Sequence, residues 1–132
     1  MERRALDELC VRKRRQLTEL TEVSELTHQL TEALDRKDQV SVQMLLNMRE
    51  APIRSMAEID QGIRDYLLTL PEEEAIRYTA LLEGEEPETK EERAFCEAVD
   101  RFLDLLERVI EEDRRISLRM GGNRSFYKTF RE

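Results

Sequence analysis

His28 is the one histidine in the chain, and it follows Glu25 by three residues. Glu-x-x-His is the spacing with which bundle helices hold paired metal ions, but those sites need the motif on two helices and further glutamates between them. One copy in a chain with one histidine points to no metal, and His28 reads as part of a helix's polar face. Cys10 and Cys96 stand far apart, without Cys-x-x-Cys or Cys/His spacing. They read as free thiols packed as small hydrophobes in a reducing cytoplasm. Acid–base work by carboxylates needs a pair held in a cleft with shifted pKa values. The 30 Asp and Glu residues fall where caps, helix dipoles and salt bridges account for them. Asp113 differs, because heptad phase turns it inward, and it reads as a register-fixing polar residue. No catalytic residue, metal or cofactor is expected.

Binding chemistry has more to work with. Phe126, Tyr127 and Phe130 are three of the seven aromatic residues and lie within the last seven positions, interleaved with Arg124, Lys128 and Arg131. Aromatics beside arginine are the side chains that anchor interfaces. The segment reads either as a strap over the end of the molecule or as a docking segment, and a detachable strap is both. Met44, Met48 and Met56 flank Pro52. Methionine repacks against varied apolar surfaces, which suits capture of amphipathic helices, and it also fills cores. The candidate partner-binding residues are therefore Met48, Met56, Met120, Arg124, Phe126, Tyr127, Lys128 and Phe130.

The elements that must position these residues follow from composition and spacing. The chain has 132 residues, 39% charged and 39% hydrophobic, with a net charge of −8, four glycines and three prolines. That suits one domain built from a few long helices, each with one apolar stripe. No apolar run approaches the ~20 residues of a membrane span, and the first residues lack the apolar region of a secretory signal. A soluble cytoplasmic protein is expected.

Apolar steps of three and four predict a first helix from about Arg3 to Leu34 and a second from Gln39 to Leu68, the latter capped by Asp38. Pro52 falls inside the second pattern without breaking its phase, which predicts a kink. Thr69-Leu70-Pro71-Glu72 reads as a capping box for a short helix from Pro71 to Glu83, closed at Gly84. A second box, Thr89-Lys90-Glu91-Glu92, opens the last long helix, and Gly121-Gly122 ends it. Its seam is Phe95, Val99, Phe102, Leu106, Val109, Asp113, Ile116 and Met120, in alternating steps of four and three. The expected fold is all-α: an elongated antiparallel three-helix bundle with a Pro-kinked second helix and a short extra helix, spanning residues 1–122. Residues 123–132 form the aromatic, basic tail.

Charge is polarised along the chain. Residues 1–16 hold six basic and three acidic side chains, residues 71–92 two basic and nine acidic, and residues 119–132 four basic and one acidic. Arg12-Lys13-Arg14-Arg15 reads as a solvated helical turn. Nucleic acid is disfavoured as a partner, because the whole is acidic and carries no reading motif.

The stretch Asp35-Arg36-Lys37-Asp38-Gln39-Val40-Ser41-Val42-Gln43-Met44-Leu45-Leu46 across the first connection, with the long last helix and Arg115-Ile116-Ser117-Leu118-Arg119-Met120-Gly121-Gly122-Asn123-Arg124-Ser125-Phe126-Tyr127, resembles bacterial flagellar export chaperones of the FlgN and FliT type. The resemblance implies a small acidic α-helical cytoplasmic protein that binds the C-terminal amphipathic helix of a late flagellar subunit, such as a hook-associated protein. It places client binding at Met120, Phe126, Tyr127 and Phe130. The expectation is a non-enzymatic helical binding protein of this chaperone kind, its groove along the second and last helices. The alternatives are a homodimeric structural or regulatory coiled-coil module and, behind it, a nucleic-acid-associated helical protein using residues 12–15 and the tail.

Overall fold

The computed structural model describes residues 2–121, with side chains from Arg4 onward. They form four helices: α1 (Glu2–Asp35), α2 (Gln39–Leu68), α3 (Glu72–Leu82) and α4 (Lys90–Arg119). No strand occurs among the described residues. The tail, residues 123–132, lies outside them, and with it the candidate residues Arg124, Phe126, Tyr127, Lys128 and Phe130.

α1 is the central element, and its sequence says why. Leu6, Leu9, Lys13, Gln16, Leu20, Val23, Thr27 and Leu30 recur in steps of three and four and are all buried. Ala5, Cys10, Leu26 and Ala33 widen that stripe, giving α1 two neighbours to cover instead of one. α2 and α4 each lie along it. At one end Leu6 and Leu9 meet Ile63 and Leu67 of α2, Tyr78 and Leu81 of α3, and Phe95 and Val99 of α4. In the middle Leu20 and Val23 meet Met56, Phe102 and Val109. At the far end Leu30 and Ala33 meet Val42, Leu45 and Ile116. α2 therefore runs opposite to α1, and α4 runs with it.

The connections are chemically specified. Asp38 caps α2, accepting a hydrogen bond from the Ser41 N–H at 3.1 Å. Ahead of it Lys37 sits at φ 60°, a left-handed geometry that a non-glycine residue adopts at some cost. Thr89 caps α4, accepting from the Glu92 N–H at 3.0 Å. Gly84, at φ 108°, closes α3 as expected, with the Glu85 N–H donating to the Ala80 carbonyl at 3.0 Å.

One expected cap is corrected. Thr69 does not open α3; it ends α2, where its hydroxyl donates to the Tyr66 carbonyl at 2.6 Å. The Tyr66 carbonyl, which also accepts the Thr69 N–H at 3.0 Å, is the nearer partner, and Pro71 takes the cap position of α3 with no side-chain bond. Pro52 is buried inside α2, which continues through it.

Candidate functional site

α2 and α4 both follow α1 but scarcely approach each other. Their side chains still meet, Ile53 and Met56 packing with Phe102, Leu106 and Val109, and the sparse backbone contact marks the side opposite α1 as a shallow opening. The flank of α2 that faces α4 carries Leu46, Arg49 and Ile53. A depression of about 220 Å³ runs along it, lined also by Gln43, Asn47 and Glu50. On α4 the flank away from α1's outer edge carries Leu103, Leu106, Ile110 and Ser117. Leu46, Ile53 and Leu106 are half-buried and Leu103 is exposed. The Ser117 hydroxyl is buried with no hydrogen-bond partner.

Beneath this opening a polar layer ties all three long helices. Arg49 Nη1 lies 2.8 Å from Asp113 Oδ1, with side-chain exposures of 4% and 0%. The same nitrogen donates to Thr27 Oγ1 at 3.1 Å, and Thr27 donates to the Val23 carbonyl. Asp113 is thus the internal polar residue that its phase implied.

A second layer lies nearer the N-terminal end of α1. Lys13 is 6% exposed, donates to Gln16 Oε1 at 2.9 Å and rests 4.1 Å from the centroid of the Phe102 ring. Gln16 in turn donates to the Met56 carbonyl of α2 at 3.2 Å. Burial pulls the Lys13 ammonium down to about 8, against a smaller upward pull from Asp60.

The expectation that Arg12-Lys13-Arg14-Arg15 is a solvated turn is therefore corrected. Arg14 and Arg15 are exposed. Arg12 donates to the Gly62 carbonyl at 2.9 Å and to Glu8 at 2.8 Å, and stacks over Tyr66. Lys13 is core. The heptad phase Leu6-Leu9-Lys13-Gln16-Leu20 held that signal, hidden because both polar residues sit where leucine was sought.

The remaining candidates separate. Met56 is fully buried in the middle cluster and faces no partner. Met48 and Met44 are about half exposed on α2. Met120 is half-buried against the far-end cluster. His28 is exposed, its Nδ1 3.1 Å from Glu112 Oε2, and Thr31 donates to the same carboxylate at 3.0 Å, linking α1 to α4. Cys10 and Cys96 are free thiols of the first cluster, both pushed up chiefly by burial.

At the opposite end a cleft of about 600 Å³ opens between α3 and the start of α4, lined by Leu6, Tyr78, Glu73, Glu74, Arg77 and Glu91 among others. Arg77 is committed: it donates to both oxygens of Glu92, at 2.7 and 3.2 Å, and to the Glu86 carbonyl at 2.9 Å. That pairing holds the Glu92 carboxyl below its ordinary range. Among the described residues no group of three or more His, Cys, Asp or Glu side chains is placed to hold a metal, and no helix is long and apolar enough to cross a membrane.

No family model, curated protein or solved structure matches the chain.

Proposed function

We propose that this chain is a non-enzymatic binding protein that takes an amphipathic helix of a client protein into the opening between α2 and α4, as flagellar export chaperones of the FlgN and FliT type do. In this reading the three long helices form an elongated antiparallel bundle. α2 is kinked at Pro52, α3 caps one end, and the client lies along α2 and α4 as a further helix. The observation that carries it is the sparse backbone contact between α2 and α4, with Leu46 and Ile53 of α2 and Leu106 of α4 left half-buried. A helix presenting apolar residues every three to four positions would cover those side chains and complete the packing. The unpaired Ser117 hydroxyl supplies one polar contact at the end of the path.

The test begins with capture from a lysate and finishes with calorimetry on the captured protein's terminal helix, made as a synthetic peptide. Binding at 1:1 is expected, weakened about 10-fold or more by Ile53→Asp or Leu106→Asp, since each places a charge against the client's apolar face. Removing residues 123–132 is expected to change the affinity as well. A peptide that binds both Asp variants as it binds the unaltered chain overturns the groove assignment.

A further inference from the structure

In a chain of which 39% is charged, the first ten residues of α2, Gln39–Met48, contain no charged side chain. They are not sheltered. Val40 is 81% exposed, Met44 54% and Met48 49%, and the exposed Ala51 follows three positions on. Steps of four, four and three set these residues on one face, because side chains at that spacing stack along a helix. The face lies on the outer flank of α2, away from the α4 side, where Met44 borders a depression shared with Gln29, Glu32 and Arg36 of α1. Leu46 and Ile53, which border the opening described above, lie on the other flank. Val40–Ala51 covers twelve residues, about 18 Å of helix.

The other exposed apolar side chains sit among charges. Leu103 has Asp100 and Glu107 one turn away, Ile76 has Glu72 and Glu73, and Leu118 has Arg114 and Arg115. Met44 and Met48 have no charged residue three or four positions away in either direction. Beside them the exposed amides of Gln43 and Asn47 hydrogen-bond to each other at 3.2 Å.

We infer that this face of α2 is a self-association surface whose occupant is the same face of a second copy. The charge pattern selects that occupant. Two chains of net charge −8 repel across most of their surfaces, and burying like charges opposite one another is strongly unfavourable. They meet at the least cost where charge is sparsest, and here the nearest charges are the mixed Glu32 and Arg36 of α1 beside Met44. A heterologous partner of an acidic protein gains from basic complementarity, and this face offers nothing for it to read. Side-chain amides carry a donor and an acceptor each, so Gln43 and Asn47 are satisfied by their own counterparts across a two-fold axis, the arrangement that an isologous contact requires. The apolar residues of the face, Val40, Met44 and Met48, do not line the depression that the client reading uses, whereas Gln43 and Asn47 border both.

Sedimentation equilibrium on the full chain tests this, over about 5 to 300 µM, the range in which a seam this short associates. Mass is expected to rise from the 15.7 kDa of one chain toward twice that value. More salt is expected to tighten the dimer, because screening relieves the repulsion between two acidic bodies. Met44→Glu and Met48→Glu replace exposed side chains, so both variants are expected to keep the helical circular dichroism and denaturation midpoint of the parent. Each is expected to weaken association about 100-fold, while Leu103→Glu leaves it unchanged. A monomer at every concentration overturns the inference. So does a dimer that survives both Met substitutions or is dissolved by Leu103→Glu, which would move the interface to α4.

Discussion

Arg49 spans the gap from α2 to Asp113 on α4, Nη1 to Oδ1 at 2.8 Å, with both side chains all but excluded from water. The backbones of the two helices make few close contacts, and the long guanidinium arm reaches across to join them. Thr27 of α1 accepts from the same guanidinium, so one cation fixes the level of three helices relative to one another. An apolar seam alone tolerates a slip by one turn; a buried ion pair does not.

Removing one member of this pair is therefore expected to hurt far more than removing both. Arg49→Met strands Asp113 in the core and should cost about 3–5 kcal/mol. The double variant Arg49→Met, Asp113→Leu should recover most of that loss. Urea unfolding of the parent, both single variants and the double variant measures the coupling. Additive single effects would show that the pair is not the connection described.

How much of this was legible in the sequence depends on what periodicity encodes. The four helices, the Asp38 and Thr89 caps and the turn at Gly84 come from local chemistry, which acts within a few residues, and were readable. Lys13, Gln16 and Arg49 all sit in phase with leucines, at Leu9-Lys13-Gln16-Leu20 and Leu45-Arg49-Pro52, yet a charge invites reading as surface. What pairs with them is a three-dimensional fact: Arg49 and Asp113 are 64 positions apart, and only the register of α2 against α4 brings them level. Thr69 was misread because two helix ends competed for one hydroxyl. The sparse contact between α2 and α4 follows from how both lean on α1, which no spacing in either records.

Lys13 makes stability depend on alkaline pH in a defined direction. Its folded value, about 8, lies below the ordinary 10.5, so between those values the unfolded chain holds more protons. Stability from this group accordingly rises as pH climbs from 8 toward 10.5, and its penalty is fully present at pH 7. Lys13→Met removes the penalty but leaves Gln16 Oε1 without its donor and forfeits the contact with Phe102. The net gain at pH 7 is expected to be on the order of 2 kcal/mol, shrinking toward pH 10. Paired denaturation curves at the two pH values check it, and a variant less stable at pH 7 would show that the ammonium's contacts outweigh its burial.

The Arg77–Glu92 pair attaches α3 and should make it the acid-sensitive part of the fold. Glu92 titrates below its usual 4.5, held down first by its hydrogen bond from Arg77 and also by the Glu88 N–H. A carboxyl with a lowered folded value contributes stability above the unfolded value and loses it as pH falls through the folded one. Tyr78, buried on α3, reports the event: its ring resonances are expected to shift below pH 4.5 while the helix signal persists. Glu92→Gln should abolish that acid step and weaken α3 docking by about 1–2 kcal/mol. An unchanged titration of Tyr78 in the variant would assign the acid step to another carboxyl.

Pro52 sets stability against the proposed function. Proline inside a helix costs about 3 kcal/mol relative to alanine, from the missing donor and the clash of its ring with the carbonyl of Met48. Replacing it by alanine forfeits roughly 1–2 kcal/mol of buried ring and gives the unfolded chain back roughly 0.4–1 kcal/mol of freedom. Pro52→Ala is thus expected to raise stability by about 1 kcal/mol, read as a higher urea midpoint. If a bend at Pro52 holds α2 off α4, the same change draws the helices together over the opening and weakens binding of a client helix. A more stable chain that binds less well is the expected pair of results. A more stable chain with unaltered binding would separate the opening from the proline and leave the lean of both helices on α1 as its cause.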